Sequence, residues 1–249
     1  ASSKYRSIFY LLWRLKRVEW TLAGAWKQLL VFSHARGSLD GSKRLQKVLH
    51  RCSLNRARML HVVTTINTYL MFEVLDSEWQ ALMENISTKV LSLDDLITTH
   101  DKYLDNIMQR ALLTASDEAL FLQLQTMLQA VLRFCALEEN LVADAMAALA
   151  RKRSRDEAAR RHDTDQWANT SAQSTTEDPD SYDGVPAYVV HRIDEAVRDY
   201  SAQFDALMKM LEIQGDSVSD MNAFLVLRLD FNEYHAQEKK KGNPGVVTS

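Results

Sequence analysis

Several short stretches hold residue types that could do chemistry. Gly37-Ser-Leu-Asp-Gly41-Ser-Lys43 has the glycines, the lysine and the hydroxyl of a phosphate loop. That loop needs four residues between its glycines and a strand before it. Here three residues intervene, and the preceding segment has helical periodicity, so an interhelical loop is expected. Asp94 and Asp95 begin an Asp-Asp-x-x-Asp magnesium pattern, but Thr98 stands where the third carboxylate belongs. Acids at a helix start complement the helix dipole and need no metal to explain them. His100 beside Asp101 could pair as acid and base, yet both fall on the polar flank of an amphipathic segment. Adjacent Glu138 and Glu139 point to different helix sectors, and a solvated face is expected for them. There is no Gly-x-Ser-x-Gly elbow, no Cys-x-x-Cys and no His-x-x-x-His. No catalytic residue, cofactor or metal ligand is therefore expected. Cys52 and Cys135 lie on apolar helical patterns and read as two reduced, buried thiols.

One constellation points to binding. Arg14, Lys16 and Arg17 lie between Trp13 and Trp20, and the two tryptophans, seven apart, share a helix face. Basic residues among aromatics suggest nucleic acid. Trp and Arg are also the types that anchor protein interfaces. Aromatics packed in the core or lining a groove, with the charges in solvent, would give the same pattern. A net charge of −3 offers no global field for nucleic acid or an anionic membrane. No uninterrupted apolar run approaches the roughly 20 residues of a membrane helix. "IFYLLW" is a short burst in a charged segment, so no signal peptide is expected.

The elements that must position these residues are helical. With 7 glycines and 3 prolines in 249 residues, and every proline in the last third, the chain lacks turn signals for sheets. An all-α fold is expected: an elongated bundle of about seven helices, several of them long. Tyr5, Ile8, Phe9, Leu12, Leu15, Val18, Leu22, Ala25, Leu29 and Phe32 form the apolar stripe of the first. Ser42 can cap a second helix running to about Glu73. Ser77-Glu78-Trp79-Gln80 and Ser92-Leu93-Asp94-Asp95 fit capping boxes for a third and a fourth. Ser116 opens a further long helix ending near Ala150.

Arg151–Arg161 is strongly basic, and Asp163–Asp183 holds six acids with no Lys or Arg. Residues 152–184 are expected to be a disordered loop, because they offer too little apolar surface to offset ordering entropy. Helix resumes after Pro186 and stops at Gly215. A last helix is expected over Val218–Leu227, and a flexible tail over 236–249. Phe224–His235 stays apolar near the end of the chain, where domain ends usually turn polar; closing the bundle explains this.

Four stretches carry a resemblance: YRSIFYLLWRLKRVEW (5–20), MLHVVTTINTYLMFEVLDSEW (59–79), LSLDDLITTHDKYLDNIMQRALLT (91–114) and LRLDFNEYH (227–235). In this order they resemble the C-terminal domain of the gamma-tubulin complex components, the grip-domain scaffolds, of the spindle-pole-body type. The likeness covers most of the chain outside 152–184. It implies that residues 1–249 form one helical gamma-tubulin-binding domain at microtubule organising centres. The domain would belong to a scaffold that templates microtubule nucleation, with lateral neighbours joined mostly through an N-terminal domain outside this chain. A short segment that precedes YRSIFYLLW in the family is also missing, so the chain is expected to be an excerpt. Two departures stand out: His235 replaces an aromatic common after FNEY, and the charged loop resembles a lineage-specific insertion. The expected gamma-tubulin contacts are Arg228, Asp230, Asn232, Tyr234 and His235 in the closing segment, with Trp13, Arg14 and Arg17 as a second group. For Arg228 and Asp230, a local salt bridge or helix-end cap serves equally well, and core positions suit Leu227, Leu229 and Phe231. A helical tether for a different protein partner is the competing reading.

Overall fold

The computed structural model describes residues 1–35, 43–89, 91–166, 187–215 and 220–229. These form seven α-helices: α1 (Ser2–Ala35), α2 (Lys43–Thr68), α3 (Ser77–Lys89), α4 (Leu93–Arg110), α5 (Glu118–Gln166), α6 (Ala187–Gly215) and α7 (Asp220–Leu229). A π-helix, Tyr69–Asp76, joins α2 to α3, and a 3₁₀ turn, Ala115–Asp117, leads into α5. No strand occurs among the described residues.

The long helices are built on alternating steps of three and four residues. In α1 the buried positions are Ile8, Leu11, Leu15, Val18, Leu22 and Ala25. In α2 they include Leu45, Leu49, Cys52, Arg56, Met59, Val63 and Ile66. In α5 they include Leu120, Leu124, Met127, Val131, Phe134, Glu138, Leu141 and Ala145, and in α6 Tyr200, Phe204, Leu207 and Leu211. This is the seam pattern of helices packed nearly parallel, knobs into holes. Each fully buried Leu or Val in such a seam contributes about 1.5–3 kcal/mol. The sequence stripe for α1 was too wide: Tyr5 and Phe9 are exposed, and Leu11 is the buried residue.

The described residues group into two compact units. The first comprises Ala1–Trp20, Arg58–Val131 and the chain from Asp199 onward. Its core includes Leu15, Val18, Met59, Val63, Leu104, Ile107, Met127 and Leu128, with Tyr200 stacked on Phe204 at 6.2 Å. The second comprises Thr21–Ala57 and Leu132–Arg198. Its seam buries a charge pair: Arg56 Nη2 lies 3.4 Å from Glu138 Oε1, with the side chains 3% and 1% exposed. Glu138 is therefore not on a solvated face. Its place in the three-four rhythm of α5 puts it inward regardless of its charge. At the surface of the same unit Arg51 pairs with Asp194 at 2.6 Å.

Three boundaries differ from expectation. Ser77 starts no capped helix: its backbone is helical (φ −59°, ψ −46°), and residues 43–89 run as one continuous helical segment. No Gly or Pro interrupts that stretch, so nothing stops the helix. Second, α5 continues to Gln166, so 152–166 is helix where a disordered loop was expected. Arg, Lys, Glu and Ala dominate 151–161, and these are strong helix formers. Residues 167–184 lie outside the described residues. Third, α7 is shifted two residues toward the C-terminus, to Asp220–Leu229.

The Ser92 box forms as expected. Asp95 N–H donates to Ser92 Oγ at 3.1 Å, and Ser92 N–H donates to Asp95 Oδ2 at 3.1 Å. The Ser92 hydroxyl bond, followed by the backbone bonds, holds the Asp95 carboxyl below its ordinary value of 3.8. At its other end α4 closes in a Schellman turn. Leu113 N–H donates to the Met108 carbonyl at 2.9 Å and Leu112 N–H to the Gln109 carbonyl at 3.3 Å. The left-handed residue there is Leu112, with φ 59°, at a position where glycine is the usual occupant.

Candidate protein-binding site

The first unit carries the expected contact residues that the structure describes. On α1, Trp13 is 48% exposed, and the Arg17 guanidinium sits 5.5 Å from its ring centroid. Trp20 is 77% exposed, which removes the core alternative for this pair. Arg14 is directed elsewhere. Its Nη1 donates to Tyr10 Oη at 3.0 Å and to Gln125 Oε1 at 2.9 Å, tying α1 to α5. Phe9, expected in the core, is 68% exposed on the same outer face as Trp13. It is the candidate residue that sequence reasoning missed. The signal was present: Ile8, Leu11, Leu15 and Val18 already make a complete inner seam, leaving Phe9 outside it.

Elsewhere in the same unit, Arg228 closes α7. Its Nη2 lies 2.9 Å from Glu73 Oε1 of the π-helix, with both side chains a little over one-third exposed. A pair this open to solvent contributes at most about 1 kcal/mol. Leu229 beside it is buried, whereas Leu227, expected in the core, is 65% exposed. Asp230, Asn232, Tyr234 and His235 lie outside the described residues, as does Phe231.

The π-helix under Arg228 is held from a second side. Its i→i+5 pattern disturbs the ladder of carbonyls, and the carbonyl of Glu73 accepts a hydrogen bond from Arg110 Nη2 of α4. Arg110 Nη1 also pairs with Glu78 Oε1 at 2.5 Å, and Asn106 Nδ2 donates to Glu78 Oε2 at 2.9 Å. Arg228, Glu73, Arg110 and Glu78 thus connect α7, the π-helix, α4 and α3 in one polar chain.

The structure does not unite the two expected groups. Leu11 of α1 lines a small apolar cavity of about 20 Å³ with Leu225 and Leu229 of α7. Trp13 lies about 160° around the helix from Leu11 at 3.6 residues per turn. The α1 group and the α7 end therefore present separate faces.

Nothing in this geometry converges on a reacting atom. Among the described residues no three His, Cys, Asp or Glu side chains cluster as metal ligands. His100 Nε2 meets Tyr5 Oη at 2.8 Å, so that nitrogen is not directed at Asp101. Burial, reinforced by Glu138, pushes the Cys52 and Cys135 thiols up to about 12, which leaves them protonated and unreactive near neutrality. Burial also raises the Glu138 carboxyl above its ordinary value, against the pull of Arg56. An open cleft of about 290 Å³ lies among Ser7, Tyr10, Leu113, Thr114, Glu118 and Phe121 and contains one carboxylate. Leu93–Arg155 includes a window long and apolar enough to cross a membrane, but 44% of it is buried. The buried seam of a helix bundle meets the same criterion.

The family model "Gamma tubulin complex component C-terminal" matches residues 1–235. "Gamma-tubulin complex component 3" of Arabidopsis thaliana is 30% identical over 246 residues, covering 96% of this chain and 28% of that protein. The Xenopus laevis "Gamma-tubulin complex component 3 homolog" is 28% identical over 248 residues, 96% of this chain and 26% of its own length. "Spindle pole body component alp6" of Schizosaccharomyces pombe is 33% identical over 138 residues, 53% of this chain and 16% of its own. The chain spans only about a quarter of the length of the first two relatives. With nearly its whole length matched, it belongs to the gamma tubulin complex component C-terminal family.

Proposed function

We propose that this chain binds gamma-tubulin as the C-terminal arm of a longer scaffold protein. Neighbouring components would be joined mainly through regions outside this chain, at microtubule organising centres such as the spindle pole body. The family match over residues 1–235 is the observation that supports this reading. The mechanism is geometric. Several gamma-tubulins held side by side present a ready template, so assembly no longer bears the entropic cost of gathering its first subunits. Any nucleotide chemistry belongs to the tubulin. We place the principal contacts in the closing segment, Arg228, Asp230, Asn232, Tyr234 and His235, with Trp13, Arg14 and Arg17 as a second face. Arg228 suits the role because its partner Glu73 is itself partly exposed, so a docking protein could exchange with that ion pair at little cost.

Co-purification of gamma-tubulin with the chain tests the function. Arg228→Ala and Asn232→Ala are expected to weaken the pull-down while circular dichroism stays native. Undiminished pull-down with native helical content would remove the closing segment from the site.

A further inference from the structure

The α1 helix carries a second seam. Its inner seam, from Ile8 to Ala25, is buried. On the outer face Arg6, Phe9, Trp13, Lys16 and Trp20 recur at the same alternating steps of three and four, and all are exposed. Three large aromatics, Phe9, Trp13 and Trp20, therefore stand in heptad register over about 17 Å of helix, at 1.5 Å per residue. Scattered exposed apolar residues need no explanation, whereas an aligned aromatic row does. The charge on this face is one-sided. Arg6 and Arg17 are exposed cations, and the third, Lys16, is paired at 2.9 Å with Glu19, the acid beside it, so the strip carries a net positive charge.

We propose that this face is a docking seat for one acidic amphipathic helix of a partner protein. The proposal rests on the reading of α1 as a protein-binding face and specifies what the partner must present. The heptad spacing selects a helix, because knobs at these intervals fit the holes of another helix. The aromatics select apolar residues along the partner's seam, and the cations select Glu or Asp flanking it. Arg17 over the Trp13 ring keeps a charge at the edge of the apolar strip, where a partner carboxylate can reach it. An anionic lipid surface would also accept aromatics and cations on one helix face, and a vesicle arm of the test separates it from a partner helix.

The test uses the whole 249-residue chain and three labelled synthetic helices of about 18 residues, long enough to cover the strip. The first has Leu at the a and d positions with Glu at e and g. The second has Lys for Glu, and the third scrambles the first. Fluorescence anisotropy should show the Glu helix binding, weakening as salt rises. The Trp13→Ala/Trp20→Ala variant, with native circular dichroism, should bind it about tenfold or more weakly. The Lys and scrambled helices should bind at least about tenfold more weakly than the Glu helix. Equal binding of the Glu and Lys helices, equal binding of the scrambled one, or an unaffected double variant would overturn the proposal. So would binding to phosphatidylserine vesicles that the double variant loses, or a sedimenting dimer that it abolishes. Those results would assign the face to a membrane or to a second copy of the chain. A parallel gamma-tubulin pull-down separates the two readings. If the Glu helix binds but gamma-tubulin is not retained, the proposed function fails and the docking seat stands. If gamma-tubulin is retained and no helix binds, the docking seat fails and the function stands.

Discussion

Arg56 and Glu138 occupy seam positions where the surrounding rhythm places Leu, Met and Phe. A buried pair of this kind adds little net stability, because desolvation cancels most of the attraction, but breaking it is costly. Arg56→Met should therefore destabilise the chain by about 3–5 kcal/mol in urea unfolding, by leaving Glu138 buried beside no cation. Arg56→Met with Glu138→Leu should recover wild-type stability or exceed it. The pH dependence follows from the raised Glu138 carboxyl. The folded state holds that proton more tightly than the unfolded chain does. Its contribution is fully present below the ordinary value of 4.5 and is lost as pH rises through the raised one. The double variant should lack this decline. Residue types alone hid the pair, since a lone Arg and a Glu-Glu dipeptide resemble solvated surface until the register of α2 and α5 is known. The tryptophans were easier to single out, because residues seven apart share a face under any helical register, although which face they took depended on packing.

The elements were legible where one pattern had no competitor. The scarcity of Gly and Pro, and the apolar periodicity, gave the helices and the Ser92 box. The π-helix was invisible, because nothing in Tyr69–Asp76 distinguishes it from ordinary α-helix in composition. The extension of α5 to Gln166 was missed because burial, not propensity, was used to judge a segment whose described side chains are exposed. Two helix positions invite direct tests. Gly24 lies inside α1, and a Cβ built on it would meet nothing within 4 Å. Gly24→Ala should raise stability by about 0.5–1 kcal/mol, because it removes chain entropy from the unfolded state without a clash. Leu112 holds φ 59° and lines both the apolar cavity and the open cleft, so packing offsets its backbone strain. Leu112→Ala should lose the packing and keep the strain, whereas Leu112→Gly relieves the strain. The Gly variant should be the more stable of the two by about 1 kcal/mol in thermal or urea unfolding.

At the scale of the whole molecule, α1, α2, α5 and α6 each contribute residues to both compact units. On the proposed function, capture of gamma-tubulin and nucleation separate cleanly. The chain alone should retain gamma-tubulin on beads yet leave the lag of microtubule assembly unchanged by light scattering, since one arm orders one subunit. A shortened lag would mean that the chain arrays itself without the rest of the protein. The π-helix has a consequence for how such a chain can change over generations. Tyr69–Asp76 stores a spare residue between two stretches whose apolar rows must stay in phase. Loss of one codon there, at Met71 for instance, should be absorbed by relaxation to ordinary α-helix. The same loss in the middle of α2 would swing every later seam residue by about 100° and scramble the interior. Indels among descendants of this sequence should therefore collect at this eight-residue stretch rather than elsewhere in the 43–89 run.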